Sequence, residues 1–173
     1  MKKILISSLA VAGLLFTVSC NTEFDTDVKD VKVTNGTADF TKYVALGNSL
    51  TSGYRDGALY LDGQNESYPS MIAQQMKLAG GASVFNQPLM ADNLGGIPAV
   101  GVSNKLILTV SASGALAPVT ASGTATNTIA NIYKPEAPIY NLGVPGAKSY
   151  HLVAPGYGSA AGLANGTANP YFV

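Results

Sequence analysis

The chain has 173 residues, enough for one domain of ordinary size with a real core, and is 47% hydrophobic but only 12% charged. Its formal net charge is zero with no basic block, which argues against a nucleic-acid surface, and 19 glycines with 9 prolines fall short of a disordered composition. The single cysteine excludes an internal disulfide and any Cys-x-x-Cys metal site.

Residues 1–19 read as an export leader. Lys2 and Lys3 form a basic n-region, and Ile4 to Val18 is an apolar run too short for a comfortable membrane span. The run ends in Thr17-Val18-Ser19-Cys20, which resembles a bacterial lipobox with Thr17 where leucine is usual. That resemblance implies lipidation of Cys20 and a mature protein held in the cell envelope, at the outer membrane, by several acyl chains. The alternative is an ordinary cleaved leader that happens to precede a cysteine. Without Lys2 and Lys3 the ten basic residues fall to eight against ten acidic, a net charge of −2. Residues 20–39 hold Glu23, Asp25, Asp27, Asp30 and Asp39 with little periodicity, and read as a solvated tether. Val28, Val31 and Val33 leave open a short edge strand.

The domain begins near Phe40. Tyr43 to Leu46 favours a strand that runs into Gly47-Asn48-Ser49. From Ser67 the pattern turns helical: Ser67 suits an N-cap, Pro69 a first turn, and Gly80-Gly81 a stop. Ile72, Met76 and Ala79 fall on one face as an expected buried stripe. Residues 103–133 read as an insertion. Lys105 to Val110 and Leu116 to Ala121 form a hairpin about Ser113-Gly114, followed by a Ser/Thr/Ala/Asn-rich tip expected to be a surface excursion or a lid. Ile139 and Tyr140 then form a short strand running into Asn141-Leu142-Gly143-Val144-Pro145-Gly146, with a helix expected from about Ala147. Twice, therefore, a strand ends in a glycine turn before a helix. Such units build parallel α/β sheets, whose sites lie at the C-terminal ends of the strands.

A serine hydroxyl needs a base to take its proton and donors to hold the oxyanion that forms on the substrate. A tight turn after a strand exposes the hydroxyl and frees backbone N–H groups, and glycine lets a second turn approach closely. Gly47-Asn48-Ser49 and Val144-Pro145-Gly146 form a candidate pair. The α/β-hydrolase elbow G-x-S-x-G is excluded, because Leu50 and Thr51 follow Ser49 and the next glycine is Gly53.

"LGNSLTSGY" resembles the first block of the GDSL/SGNH hydrolases, and "YNLGVPGAKS" resembles their second, an N-x-G-x-x-G turn. The stretches "YVALGNSLTSGY", "QPLMADNLGG" and "GVPGAKSYHL" are similar to secreted SGNH-type lipoproteins of the Bacteroidetes group. The resemblance implies a flavodoxin-like, three-layer α/β fold with a parallel sheet, here incomplete and bearing the hairpin insertion. It makes Ser49 the nucleophile, with the N–H groups of Ser49 and Gly146 as oxyanion donors. Gly47, Asn48, Asn141 and Gly143 support the two turns, and Asn48 stands where the family has aspartate. The implied substrate is an ester of a lipid or an acylated glycan, with no metal or organic cofactor.

Two further blocks of that family are not in the sequence: no G-x-N-D occurs, and no D-x-x-H. The only histidine is His151, preceded three residues earlier by Lys148, and is expected to pack against the core or a loop rather than serve as the base. Residues 40–173 thus read as the N-terminal part of an SGNH-type domain that holds the nucleophile half of a site. The competing expectation is a non-catalytic surface lipoprotein that uses the same turns to bind glycan or a protein partner. Oligomeric state is open.

Overall fold

The computed structural model describes residues 25–132 and 137–172, so the expected leader and Cys20 lie outside the described residues. Residues up to Val33 form a unit of their own. Its described part holds one 3-10 turn, Val28–Asp30, capped by the Asp27 carboxylate, which accepts from the Lys29 N–H at 3.0 Å. The valines there form no strand, and Val31 and Val33 are exposed.

The rest is a small mixed α/β fold with a short parallel sheet and an antiparallel hairpin. Strand β1 (Ala45–Gly47) is followed by the four-residue α1 (Ser49–Ser52), then α2 (Leu61–Asn65) and α3 (Tyr68–Leu78). Strands β2 (Leu106–Val110) and β3 (Leu116–Thr120) make the hairpin, α4 spans Ile129–Ile132, and β4 is Asn141–Gly143. Strands β1 and β4 pair in parallel, with Ala45 opposite Asn141, Leu46 opposite Leu142 and Gly47 opposite Gly143. Both strands begin later than the sequence pattern suggests. Tyr43 and Tyr140 instead flank Phe85 in an aromatic stack, with ring centroids 5.3 and 6.5 Å apart.

Helix α3 starts and stops as its sequence dictates. The Ser67 hydroxyl accepts from the Ser70 N–H, and the Gly81 N–H closes the far end on the Met76 carbonyl at 2.8 Å. Its apolar stripe is not buried, however. Ile72 is exposed and Met76 and Ala79 are half-buried, because α3 packs only on short neighbours rather than across a broad sheet. The hairpin forms about Gly114, which takes the left-handed φ of 81° that the turn requires. Pro118 is tolerated in β3 because each strand of a two-stranded ribbon is an edge.

The segment after the hairpin lies at the surface, with Ser122, Gly123, Thr124 and Thr126 exposed, but it is anchored at Ala121, Ala125 and Asn127, which are buried. Asp92 holds it. Its carboxylate accepts from the N–H and hydroxyl of Thr126 at 2.6 and 2.9 Å, from Asn127 Nδ2 at 3.0 Å, and from the Leu94 and Gly95 N–H groups. Asn127 completes the seam by accepting from Ala91 N–H and donating to the Gly96 carbonyl. The core lies beside it, with Leu59, Met90 and Ile97 packed by Tyr54, Val102, Ile129 and Tyr171. Burial, with Tyr54 edge-on at 6.2 Å, pushes the Tyr171 hydroxyl up to about 12. Among the described residues no helix is long and apolar enough to cross a membrane.

Candidate functional site

The register of β1 and β4 sets Gly47 beside Gly143, so the chain leaves both strands at the same end of the sheet. Helix α1 starts at Ser49 directly after β1, and the parallel pairing continues one step, with the Val144 N–H donating to the Gly47 carbonyl at 3.1 Å. The two glycine turns therefore share one rim. Close approach is built into it. A Cβ on Gly143 would sit 2.4 Å from the Ser52 backbone nitrogen, and one on Gly47 would sit 2.0 Å from Thr51 Oγ1. Buried Asn141 locks the arrangement, donating to the Thr51 carbonyl and to Gln87 Oε1, both at 2.9 Å, and accepting from the Gly143 N–H at 3.0 Å.

Ser49 is half-buried, and among the described residues its hydroxyl has no hydrogen-bond partner; its carbonyl accepts from the Tyr54 N–H and the Ser52 hydroxyl. The first N–H groups of a helix have no intrahelical acceptor, which leaves those at the start of α1 without one. Asn48 occupies the N-cap position of α1 but makes no side-chain cap bond. Gly146 takes a φ of 77°, exposed at the crest of the second turn. Asn169 steadies that crest by donating to the Pro145 carbonyl at 2.8 Å and to the Tyr157 hydroxyl at 2.7 Å. Nothing near Asn169 in sequence marks it for this; the contact spans 24 positions.

An open cleft of about 530 Å³ lies along this rim. Asn48 and Leu50, which flank Ser49, line it with Tyr68, Lys148 and Leu152. Tyr68 is fixed in the wall by a 2.9 Å hydrogen bond to Thr51 Oγ1. A small, mostly apolar pocket between Phe40, Tyr43, Met76 and Phe85, of about 20 Å³ and partly open to solvent, has room for about one water.

His151 is committed elsewhere. The expected α-helix after Ala147 is a 3-10 turn, Ser149–Val153, and His151 Nδ1 accepts from the Lys148 N–H at 3.1 Å. Its ring stacks on Tyr157 at 4.1 Å and meets Tyr150 edge-on at 4.2 Å. That is a packed turn histidine. A second group of ionisable side chains is mutually satisfied: Arg55 pairs with Glu66 at 2.7 Å and donates to the Tyr60 hydroxyl at 2.6 Å, and Tyr60 donates to Asp56. Among the described residues no three His, Cys, Asp or Glu side chains gather in a way that could hold a metal ion.

The arrangement offers a serine hydroxyl without a partner among the described residues, between two residues that line an open cleft; Ser49 and Gly146 are not themselves among the lining residues. It offers no base among the described residues. No protein-family model, curated protein or solved structure matches the chain.

Proposed function

We propose that this chain carries the nucleophile half of an SGNH-type serine-esterase site, in a protein tethered to the membrane through Cys20. The observation that supports it is the in-register pairing of Ala45–Gly47 with Asn141–Gly143, which brings the Ser49 and Gly146 turns to one end of the sheet. In this reading Ser49 Oγ attacks an ester carbonyl, and the Ser49 and Gly146 N–H groups receive the oxyanion. The acyl group passes to Ser49, the alcohol leaves, and water then releases the acid. The proton on Ser49 goes to a base that the described residues do not supply, since His151 Nδ1 is engaged. Leu46 and Leu142, exposed although paired in a parallel sheet, support a wider three-layer sheet of flavodoxin type, because parallel sheets are normally covered on both faces.

The test is a fluorophosphonate probe applied to the protein in its native membranes, with the labelled peptide mapped. Labelling at Ser49 that disappears in Ser49→Ala is the expected outcome. Absence of labelling would remove the esterase reading in favour of a second, a surface lipoprotein that binds glycan or a protein in the same cleft. That second reading is favoured by one observation, the commitment of the only histidine to its own turn.

A further inference from the structure

Strands β2 and β3 project as a ribbon in which no residue from Ile107 to Thr120 is buried. At its base the Leu106 N–H donates to the Asp56 carbonyl and the Lys105 N–H to the Leu94 carbonyl, both at 2.7 Å. A two-stranded ribbon is marginal in water unless a third strand or a covering layer joins it. The register fixes which backbone groups face outward. The Lys105 carbonyl accepts from the Ala121 N–H and the Ala115 carbonyl from the Ser111 N–H, both at 2.8 Å, so the odd-numbered residues of β2 bond to β3. Leu106, Leu108 and Val110 therefore turn their N–H and C=O groups away from β3, as the Leu106 bond to Asp56 shows. The outward backbone groups of Leu108 and Val110 have no partner among the described residues.

The two edges of the ribbon are guarded unequally. Pro118, opposite Leu108, lies among the outward residues of β3 and has no N–H to offer. Strand β2 carries neither proline nor charge, and the adjoining Lys105, a residue type that commonly blunts an edge, lies over the Tyr60 ring at 4.0 Å. Leu108 and Val110 are 65% and 67% exposed. Other apolar side chains are exposed elsewhere in the molecule, but these stand on a five-residue edge with unpaired backbone groups. Such an edge fits an extended, uncharged strand with a free edge of its own, and it offers a charged partner no counter-ion. Among the described residues β2 itself is the one five-residue strand of that kind, since β3 carries Pro118.

We propose that two copies of this chain pair along β2, antiparallel about a two-fold axis at Thr109, into one four-stranded sheet. That register sets Leu108 opposite Val110 of the second copy on both sides of the axis, each pair exchanging both backbone bonds, and leaves Leu106 on Asp56. Thr109 meets its own copy in a pair without backbone bonds, where Cα atoms come within about 4.5 Å.

The test is cysteine cross-linking of the full protein in intact cells under mild oxidation. Thr109→Cys gives a disulfide-linked dimer, because a cross-strand pair at that separation meets disulfide geometry. Val119→Cys, on the same face but on the guarded strand, gives at least about fivefold less dimer, as does the wild type, whose only cysteine is Cys20. Adding Leu108→Pro to Thr109→Cys lowers cross-linking at least about fivefold, the size expected of one lost backbone hydrogen bond, by removing an outward N–H as Pro118 does on β3. Leu108→Lys, which keeps the amide and places a charge on the edge, has the same effect, and circular dichroism verifies that each variant keeps its fold. Equal cross-linking at Val119→Cys, or a Thr109→Cys dimer indifferent to both Leu108 substitutions, would overturn the inference. A Thr109→Cys protein that stays monomeric, or that links to a different protein, would overturn it as well. None of these readouts depends on the role of Ser49.

Discussion

Asn141 makes three hydrogen bonds from a buried position, each to a different part of the Ser49 turn or its support. Asn141→Ala strands the Thr51 carbonyl and the Gly143 N–H, and an unmet buried polar group costs about 1–3 kcal/mol. The expected loss is about 2 kcal/mol, read from the denaturant midpoint; a loss below about 0.5 kcal/mol would show that water replaces the amide. Ser49→Ala is expected to cost about 1 kcal/mol or less, because the hydroxyl it removes has no partner among the described residues. If that variant unfolds, Ser49 is a structural cap and its loss says nothing of catalysis. Gly47 and Gly143 were legible as motif glycines, and packing gives each a reason independent of chemistry, a neighbour within 2.0 and 2.4 Å of a missing Cβ. Asn48 was legible only as a turn former, and its side chain caps nothing. Asn169 was not legible at all.

Elements governed by local signals were readable, and those governed by distant contacts were not. Ser67, Pro69 and Gly80-Gly81 define α3 from end to end, and Gly114 defines the hairpin, because caps and turns act within a few residues. The fate of residues 121–127 depends on Asp92, some 34 positions away, so a polar, small-residue stretch reads as a free excursion when it is an anchored seam. Burial by itself would raise the Asp92 carboxyl, but the N–H groups of Thr126 and Gly95, the Thr126 hydroxyl and the Leu94 N–H outweigh it and hold the group at about 2. A depressed folded value means that the stabilisation is full above the unfolded value of 3.8 and is lost as pH falls from there toward about 2. Acid titration followed by hydrogen exchange at Thr126 and Asn127 is expected to show this seam opening within that window. Asp92→Asn should open it already at neutral pH, and exchange rates unchanged by that substitution would mean the hairpin is held by its apolar contacts instead.

For the whole molecule, two strand–turn units lie in one parallel sheet, and α1 packs against both strand ends because each ends in a glycine, Gly47 beside the Thr51 side chain and Gly143 beside the Ser52 backbone. Membrane attachment is tested separately: Cys20→Ala is expected to release the protein from membranes or leave it unprocessed, and a wild-type protein found wholly in the soluble fraction would exclude a lipid anchor. Catalysis is the sharper test of the proposed role of Ser49, because no base stands at the rim among the described residues. Residues 20–173 alone are expected to hydrolyse p-nitrophenyl acetate no faster than their Ser49→Ala variant. Loss of general-base assistance removes roughly 10²–10⁴-fold, and absence of the asparagine that the family resemblance would place in the oxyanion hole from a G-x-N-D block roughly 10²–10³-fold. The two need not multiply, since groups of one catalytic unit are not additive, and either alone brings the rate near background. His151 does not fill the gap: its Nδ1 is held by the Lys148 N–H and its ring lies against Tyr150 and Tyr157. Clear turnover that vanishes in Ser49→Ala would mean that this histidine leaves its turn to act as the base, and His151→Gln should then abolish it. Turnover that survives His151→Gln would assign the base to a carboxylate.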